Sequence, residues 1–363
     1  MRLAEIELFH TRLRCHKPFR IATGTTDRCQ GLLVRLRTES GQVGVGEAVP
    51  KPVLTGETLE GCEAALREHL WPAVRNLDAW ALEDLHAAMD SVVAGYPAAR
   101  AALDVAVHDL LARAAGIPLY RFLGGTRRRV LTNYSIGLCS PAEAAAEGRR
   151  IVEAGYRAVK LKVGEDPDDD AERVRAVRAA VGPDLALRID ANEGWSYSQA
   201  LRALRKMEPC DVELVEQPLP RWDLEGMARL RTRISVPLVA DESVRTARDA
   251  RRIVELGAAD GLNLKLMKCG GLYPARQIVA VARAGGLDLM VGGMVGESKV
   301  SVTAAASLAA ACGFDHADLD ADLLLRDDLA PGAGLVQEGS ERVLADEPGL
   351  GLGTLEGGFL VPR

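Results

Sequence analysis

Alternating lysines in one short apolar segment are the first residues of this sequence with clear chemical potential. The segment "AVKLKV" places Lys160 and Lys162 two positions apart in a predicted strand, so both ammonium groups project from the same face. A lysine is rarely buried alone, and two on one face of an interior strand therefore require anionic partners or a catalytic role. A later apolar segment, "GLNLKLMK", carries Lys265 near its end. These lysines are the candidate proton-transfer groups.

Three neighbouring apolar segments end in acids. Asp190 lies at the end of "LRIDAN", Glu216 in "LVEQP" and Asp241 in "LVADES". A single acid at such a place is commonly a helix N-cap, but three in equivalent positions form an oxygen-rich site. Carboxylate oxygens are the ligands that Mg²⁺ prefers in proteins. The sequence therefore predicts a Mg²⁺ site at the ends of these segments, close to the lysines.

A metal between lysines predicts removal of a proton next to a carboxylate. The divalent ion would hold the substrate carboxylate and stabilise an enolate intermediate, while the lysines remove or deliver the proton. Lys162 and Lys265 on opposite sides of one carbon predict 1,1-proton transfer, which is epimerisation. Neighbouring cations and burial are expected to depress the lysine pKa values, so that a neutral amine exists near pH 7.

These residues need elements that bring them to one place. Short apolar segments recur at intervals of roughly 25 to 30 residues through the second part of the chain, with helical stretches between them. Eight such units predict an α/β fold, a modified (β/α)₈ (TIM-like) barrel, in which chemistry lies at the C-terminal ends of the strands. A doubly wound parallel sheet is the structural alternative.

The regions before and after the barrel have a different character. Residues 1–125 combine alternating segments with helical periods and predict an N-terminal α+β capping domain that carries the substrate-specificity loops. The catalytic barrel is predicted for residues 126–325. Residues 326–363 have strand and turn character, and we expect this C-terminal tail to return to the capping domain and complete it.

Composition argues against several functional classes. A formal net charge of −6 over 363 residues leaves no basic excess, which disfavours nucleic acid as a partner. The apolar runs are shorter than the roughly 18 residues that cross a bilayer, and the charged N-terminus is unlike a signal peptide. The seven cysteines show no paired spacing, so reduced thiols are expected. We predict a cytoplasmic protein with a small-molecule substrate and no membrane partner.

The ordered motifs "KLK", "DAN", "EQP", "ADES" and "KLMKCGG" resemble the enolase superfamily, and within it the muconate-lactonizing enzyme subgroup with paired lysines. The resemblance covers nearly the whole chain and implies Mg²⁺ as the cofactor, bound by the three acids. It implies that Lys162 and Lys265 are the opposing bases and that Lys160 contacts the substrate carboxylate. It also implies that Asn192 and Glu242 support the metal site.

The last barrel segment, "HADLDADL", places Asp318 and Asp320 at alternate positions that face the mouth. Two carboxylates there would bind a cationic amine through charge-assisted hydrogen bonds. The Asp-x-Asp pattern resembles dipeptide epimerases, which implies a dipeptide substrate that is epimerised at its C-terminal residue. The other substrate contacts that this resemblance implies are Ser135, Gly293, Met294 and Val295.

Two features depart from the pattern of Ala-Glu epimerases. Those enzymes carry an arginine in the loop after "PFRIA", where this chain has Thr23 and Gly24. A buried glutamate side chain would then lack a charge partner, so selectivity for Ala-Glu is not expected. The seventh segment, "VGGMVGESK", is one residue longer than the usual form, which leaves the roles of Gly296 and Glu297 open.

Other functions fit parts of this pattern. An N-acyl amino acid racemase or an o-succinylbenzoate synthase shares the lysines and the metal but needs no Asp-x-Asp. A muconate cycloisomerase is disfavoured because Asp318 and Asp320 would repel its dianionic substrate. A catalytically inactive barrel used for binding or assembly is the alternative from another class. The resemblance is also compatible with a homo-oligomer.

Overall fold

An antiparallel sheet packed against helices forms the N-terminal part of the protein. In this computed structural model, which describes residues 1–355 and 360–362, the first three strands pair in the order β1, β2, β3. They are β1 (Leu3–Ile21), β2 (Gly24–Thr38) and β3 (Val43–Ala48). The helices that follow are α1 (Leu59–Ala64), α2 (Trp71–Val74), α3 (Leu82–Val92), α4 (Pro97–Ala114) and α5 (Leu119–Phe122), with a π-helical turn at Ala65–Leu70. This is the α+β architecture that the sequence predicts for the cap.

Helix α4 lies directly on strand β3 because glycine occupies the contact points. A Cβ atom added to Gly44 would lie 2.2 Å from the Ala106 carbonyl oxygen, and one on Gly46 would lie 2.1 Å from that of Ala102. Any other residue would therefore push the helix away from the sheet. The long hairpin of β1 and β2 projects from this layer, and its tip at residues 19–26 reaches the barrel mouth.

The second part of the chain forms an eight-stranded parallel barrel, so the predicted fold is confirmed and the doubly wound sheet is excluded. A short strand, β4 (Arg129–Leu131), precedes it outside the barrel sheet. The barrel strands are β5 (Tyr134–Ile136), β6 (Ala158–Lys162), β7 (Ala186–Asp190), β8 (Val212–Glu216), β9 (Leu238–Ala240), β10 (Gly261–Leu264), β11 (Asp288–Gly292) and β12 (His316–Asp318). Strands β5 and β12 are the two edges of this sheet and meet at a seam.

Helices between the strands cover the outside of the barrel. They are α6 (Pro141–Glu153), α7 (Pro167–Val181), α8 (Tyr197–Met207), α9 (Leu224–Arg231), α10 (Ala247–Leu256), α11 (Leu266–Cys269), α12 (Leu272–Ala284) and α13 (Lys299–Cys312), with 3₁₀ turns at Glu208–Cys210 and Ala321–Leu324. Capping boxes begin α6 at Ser140, α8 at Ser196 and α10 at Thr246, which fixes where each loop ends. The helices therefore hold the strands in place and leave the strand ends free for chemistry.

The C-terminal segment contacts both parts of the molecule. Strands β13 (Leu335–Glu338) and β14 (Glu341–Leu344) form a sheet with β4, and β15 (Leu360–Pro362) pairs with β1 of the cap. The predicted boundaries at residues 125 and 325 stay predictions, and residues 356–359 and 363 of the predicted tail lie outside the described residues. In the described part of the chain, no helix combines the length and apolar character needed to cross a membrane.

Candidate active site

The three predicted acids converge at the C-terminal ends of adjacent strands. Asp190 ends β7, Glu216 ends β8, and Asp241 follows β9 directly. The parallel register pairs Asp190 with Glu216, and one carboxylate oxygen from each of the three residues lies within 4.8 Å of the others. All three side chains are fully buried. The strand ends therefore bring these acids close enough to share one ion.

The backbone immediately after these acids adopts an unusual conformation. Asn192, Glu193 and Gln217 have φ values of +42°, +67° and +35°, a region that non-glycine residues rarely occupy. Gln217 uses this turn to accept a hydrogen bond from the Asp241 backbone N–H at 2.9 Å. The Asn192 backbone N–H donates to Asp190 Oδ1 at 2.9 Å. Such backbone strain is typical of active sites, and here it fixes the carboxylates relative to one another.

Lysines lie on both sides of the acid cluster. Lys162 Nζ donates to Asp190 at 2.6 Å, and Lys265 Nζ donates to Asp241 at 2.6 Å. Both ammonium groups also line the cavity at the barrel mouth. Lysines from the second and sixth barrel strands therefore face one space from opposite ends of the acid cluster.

Lys160 differs from the expectation because it does not line this cavity. Its ammonium group is fully buried and lies 3.0 Å from Asp190, 2.6 Å from Glu216 and 2.7 Å from Asp318. Three carboxylates surround it on the side where a substrate would have to reach. Lys160 thus stands beneath the cavity as the positive centre of a carboxylate cluster, and the predicted contact with substrate has no support in this geometry.

The pKa values of Lys265 and Lys160 are raised, whereas the sequence predicts that they are depressed. Burial alone would lower the pKa of Lys265, but the neighbouring Asp241 and Glu216 carboxylates raise it above the usual range. The same competition raises the pKa of Lys160 well above its ordinary value, because Asp190 and Asp318 outweigh burial. The neighbouring carboxylates therefore favour the protonated form of these two lysines.

The acid cluster fits a hard divalent cation. Glu216 Oε2 is buried and has no hydrogen-bond partner among the described residues, since the nearby Lys160 ammonium lies outside hydrogen-bonding geometry. Burial and the adjacent Asp190 carboxylate raise the pKa of Glu216 to about 7, so a further cation at this carboxylate would stabilise its ionised form. An all-oxygen donor set with an unsatisfied buried oxygen matches the ligand preference of Mg²⁺.

Polar residues next to the cluster hold the acids in place. Asn263 Nδ2 donates to Glu216 Oε1 at 2.8 Å, and Asn192 Nδ2 donates to Glu242 at 3.1 Å. Lys268 is buried and forms an ion pair with Asp241, so it is a structural partner of that acid and not a surface lysine. The sequence analysis did not include Asn263. It lies on β10, two residues before Lys265, and strand alternation therefore puts it on the same inward face.

At the seam, β5 and β12 form no ladder; beside one backbone hydrogen bond of 3.3 Å, from the Asn133 N–H to the Ala317 carbonyl, side chains supply the contacts. The Ser135 backbone N–H donates to Asp320 at 2.6 Å, and the Ser135 hydroxyl donates to Asp318 at 3.1 Å. Asn133 Nδ2 also donates to Asp318 Oδ1 at 2.6 Å, and Lys160 Nζ donates to Asp318 Oδ2 at 2.7 Å. Both acids line the cavity, but protein groups bind Asp318 on both oxygens, whereas Asp320 accepts the Ser135 hydrogen bond on Oδ2.

The pKa values of the two seam acids, Asp318 and Asp320, are shifted in opposite directions. Burial would raise the pKa of Asp318, but the Lys160 and Lys162 charges and the Asn133 hydrogen bond hold it well below the usual range. Burial and the neighbouring Asp318 carboxylate raise the pKa of Asp320 to about 7. Asp320 is thus the acid that would gain most from a cationic partner in the cavity.

Most of the predicted site residues surround one cavity beneath the cap. The predicted residues that line it are Ser135, Lys162, Asn192, Glu242, Lys265, Gly293, Met294, Val295, Asp318 and Asp320. The cap contributes the hairpin tip, with Phe19, Ile21 and residues 23–26, and a loop with Lys51, Val53 and Leu54. Thr23 and Gly24 face the cavity as expected, whereas Arg20 points away and pairs with Glu165. Lys51 and Arg221 are lining cations that the sequence analysis missed.

The seventh segment, which we predict to be one residue longer than the usual form, makes a tight turn after β11. Gly296 has a φ of +109°, and Glu297 accepts a hydrogen bond from the Met294 backbone N–H at 2.8 Å. Glu297 is 1% exposed, and burial raises its pKa to about 8. The cavity is lined by Gly293, Met294 and Val295 and not by Gly296 or Glu297, so these two residues shape the loop and add no group to the cavity wall.

Comparisons with known proteins agree with this arrangement. Residues 3–124 match the family described as "Mandelate racemase / muconate lactonizing enzyme, N-terminal domain", and residues 143–356 match "Enolase C-terminal domain-like". The chain belongs to the enolase superfamily. The superfamily prediction made from the lysine and acid motifs is therefore confirmed.

Several relatives within the enolase superfamily resemble the chain over almost its full length. An L-Ala-D/L-Glu epimerase of Clostridium acetobutylicum is 38% identical over 97% of this chain and 99% of its own. The substrate-liganded L-Ala-D/L-Glu epimerase of Bacillus subtilis is 36% identical, covers 98% of this chain and 100% of its own, and superposes with a TM-score of 0.95. A dipeptide epimerase of Enterococcus faecalis, complexed with Mg and L-Leu-L-Tyr, has 36% identity, 97% and 99% coverage and a TM-score of 0.93.

Proposed function

We propose that this member of the enolase superfamily is a Mg²⁺-dependent dipeptide epimerase that inverts the α-carbon of the C-terminal residue. One observation carries the proposal: Lys162 and Lys265 face a single cavity from opposite ends of the Asp190–Glu216–Asp241 cluster. Two bases on opposite sides of one carbon can exchange its proton with inversion. The epimerases among its relatives support the same conclusion.

The residues divide the reaction between them. Bound by the three acids, Mg²⁺ would attract the substrate carboxylate and stabilise the negative charge that develops on it when the α-proton leaves. Lys162 takes the proton from one face of the α-carbon, and Lys265 returns a proton to the other; the reverse direction exchanges these roles. The lysine that removes the proton must start as a neutral amine and the opposite lysine as an ammonium ion, so the raised pKa of Lys265 has to fall when Lys265 acts as the base.

Asp320 is the proposed ligand of the substrate's free amine. One of its oxygens is held by the Ser135 backbone N–H, and the carboxylate lines the cavity. A cationic amine in that cavity would stabilise the ionised form of Asp320 and form a charge-assisted hydrogen bond. Asp318 is bound to Asn133, Ser135 and Lys160 and contributes mainly negative charge. An N-acylated amino acid lacks this cation, which disfavours the racemase alternative.

The cavity wall supports uncharged substrate side chains. Apolar residues from the cap and from the loops after β11 and β12 make up much of it, namely Phe19, Ile21, Val53, Leu54, Met294, Val295 and Leu324. Two cations also line it: Arg221 already forms an ion pair with Glu193, whereas Lys51 forms no ion pair among the described residues. Burying apolar side chains against this wall is favourable, whereas a buried acid needs an unpaired cation, and of these two only Lys51 is unpaired. We therefore propose apolar dipeptides as preferred substrates, without selectivity for Ala-Glu.

A dipeptide library incubated in deuterated water tests the function. Mass spectrometry should find one deuterium at the α-carbon of the C-terminal residue, first in dipeptides with apolar side chains, and chelation of Mg²⁺ should abolish the exchange. The same dipeptides with an acetylated amine are the matched controls and should exchange far more slowly. Exchange in N-acyl amino acids but in no dipeptide would show that the chain is a racemase of acylated amino acids.

We also propose the domain boundaries, the cellular location and the assembly of the protein. We infer a capping domain of residues 1–125, a catalytic barrel of residues 126–325 and a tail of residues 326–363 that completes the cap. The pairing of β15 with β1 supports the last assignment. A cytoplasmic location is consistent with cysteines that are free throughout the described chain. A homo-oligomer without nucleic-acid or membrane partners is likewise proposed.

A further inference from the structure

A buried polar chain runs beneath the seam acids and away from the cavity. Arg188 lies on the inward face of β7, two residues before Asp190, and is 7% exposed. Its guanidinium group donates to Glu213 at 2.6 Å, to Asn133 Oδ1 at 3.1 Å and to the Ala317 carbonyl at 3.2 Å. The cluster links strands β7, β8 and β12 to Asn133, the residue just before β5.

A β-bulge brings Glu213 into this chain. The ladder between β7 and β8 pairs Leu187 with Val212 and then Arg188 with Leu214, so Glu213 is the extra residue on β8. A bulge of this kind redirects a side chain relative to regular alternation. The Glu213 carboxylate therefore reaches Arg188 and partly neutralises its buried charge.

Arg188 determines which way the Asn133 amide faces. A guanidinium group has donors only, so the atom of Asn133 that meets Arg188 must be its carbonyl oxygen. The amide nitrogen is then forced toward Asp318, to which it donates at 2.6 Å. The same reasoning makes His316 Nδ1, 3.2 Å from Arg188, an acceptor without a proton. The acceptor and donor roles of Asn133 and His316 therefore follow from one arginine.

This series of buried hydrogen bonds ends at Asp318 Oδ1. Asn133 is fully buried and shares Asp318 Oδ1 with the Ser135 hydroxyl, while Lys160 holds the other oxygen. Ser135 in turn holds Asp320 through its backbone N–H. A rotation of the Asp318 carboxylate would therefore disturb the electrostatic field at Asp320, where the substrate amine is proposed to bind.

We propose that Asn133 is a positioning residue that orients Asp318 for recognition of the substrate amine, and that Arg188 fixes the orientation of the Asn133 amide. The inference rests on the proposed function, because it concerns the amine of the same substrate. Neither residue lines the cavity, so both act through Asp318.

Calorimetric binding to the Mg²⁺-loaded enzyme tests the inference. The quantity measured is the ratio of dissociation constants for a free-amine dipeptide and its N-acetylated form. Asn133→Ala should weaken the free-amine dipeptide about tenfold, the effect of losing roughly one charge-assisted hydrogen bond, and should change the acetylated form less than about twofold. Ser307→Ala is the matched control: it also removes a buried side-chain hydrogen bond, which the Ser307 hydroxyl donates to the Thr303 carbonyl at 2.8 Å, outside the seam. An equal loss for both ligands would mean a merely structural role and would overturn the proposal.

Arg188→Lys gives a second variant, which keeps the buried charge and leaves Asn133 in place. It should weaken the free-amine dipeptide by a smaller factor, because an ammonium group cannot reproduce the planar fork of the guanidinium group. The double variant should lose no more than Asn133→Ala alone, since both residues act along one chain. If the losses of the two single variants add up in the double variant, Arg188 does not act through Asn133.

A crystal structure of Asn133→Ala tests the positioning without any substrate. The Asp318 carboxylate should rotate so that the Ser135 hydroxyl hydrogen bond is lost. An Asp318 that keeps its place would overturn the inference even if the enzyme epimerises dipeptides. Conversely, failure of the wild-type enzyme to bind any dipeptide would contradict the proposed function while this crystallographic result still decides the role of Asn133.

Discussion

The two sides of the barrel mouth hold their charged residues by different means. On the side of β6 to β10, backbone ladders set the register, and Lys162, Asp190 and Glu216 sit at paired positions on neighbouring strands. At the seam between β5 and β12, hydrogen bonds from Asn133 and Ser135 position Asp318 and Asp320. Ladder positions tolerate a change of side chain, whereas the seam loses part of its closure with each polar group removed. We therefore expect substitutions on the paired side to affect chemistry and those at the seam to affect recognition and stability.

Substitution of the two facing lysines should have the largest effect. Lys162→Ala or Lys265→Ala should abolish epimerisation, because general acid–base catalysis by one group contributes about 10²- to 10⁴-fold and inversion needs both groups. Epimerisation is measured by polarimetry or chiral chromatography with an apolar dipeptide.

Exchange with solvent separates the two lysines. Each single variant should still incorporate deuterium into one epimer of the substrate, and the two variants should act on opposite epimers. Full epimerisation by either variant would contradict the two-base arrangement. Lys206→Ala, which removes an exposed lysine from α8, is the control and should leave the rate unchanged.

Asp320→Asn should have the next largest effect and should separate recognition from chemistry. Loss of a charge-assisted hydrogen bond of about 1.5–3 kcal/mol corresponds to about 10- to 150-fold in kcat/KM for a free-amine dipeptide. The acetylated dipeptide has no ammonium group and should lose little. Equal losses for the two substrates would show that Asp320 does not recognise the amine.

The pH dependence of binding should show a moderate effect from the same residue. The pKa of Asp320 is raised to about 7, so its carboxyl is largely protonated below that pH and ionised above it. The KM for a free-amine dipeptide should therefore fall as the pH rises through about 7, until deprotonation of the substrate amine reverses the trend. In Asp320→Asn this dependence should disappear, and a KM that still follows the wild-type curve would assign the titration to another group.

The raised pKa of Asp320 also makes the stability of the folded protein depend on pH. Its folded-state pKa lies above the ordinary value for aspartate, so the folded state binds the proton more tightly than the unfolded state does. This contribution to stability is complete below pH of about 4 and is lost as the pH rises through about 7. A bound ammonium group would offset that loss, which links substrate binding to the seam.

The contrast between the two sides also explains what could be predicted from sequence. Asp190, Glu216 and Asp241 end their apolar segments, and parallel strands necessarily bring such ends together. Arg188 was overlooked although the alternation of "LRID" places it on the inward face with Asp190. That signal was available. By contrast, Glu213 reaches Arg188 through a bulge, which breaks the alternation on which strand-based prediction depends.

The position of Lys160 was beyond prediction for another reason. Its side chain projects inward as the alternation requires, but whether it meets substrate depends on Asp318, which is 158 positions away in the chain. The seam between the first and last barrel strands brings the two together, and the sequence gives no register for strands that form no ladder. Contacts at a seam depend on closure of the whole barrel and need coordinates.

The smallest expected effect tests how the seam is closed. Thr132 is 3% exposed, and its hydroxyl accepts a hydrogen bond from the Leu319 backbone N–H at 2.8 Å, between the two seam acids. Thr132→Val keeps the shape but leaves this buried donor unsatisfied, which should cost about 1–3 kcal/mol of unfolding free energy in urea. Thr303→Val is the matched control: that hydroxyl, 1% exposed, only donates to Lys299 within helix α13. Its loss should be within about 0.5 kcal/mol, because the helix already satisfies that carbonyl. If the two variants lose the same stability, side-chain hydrogen bonds do not close the seam, and the difference between the two sides of the mouth loses its physical basis.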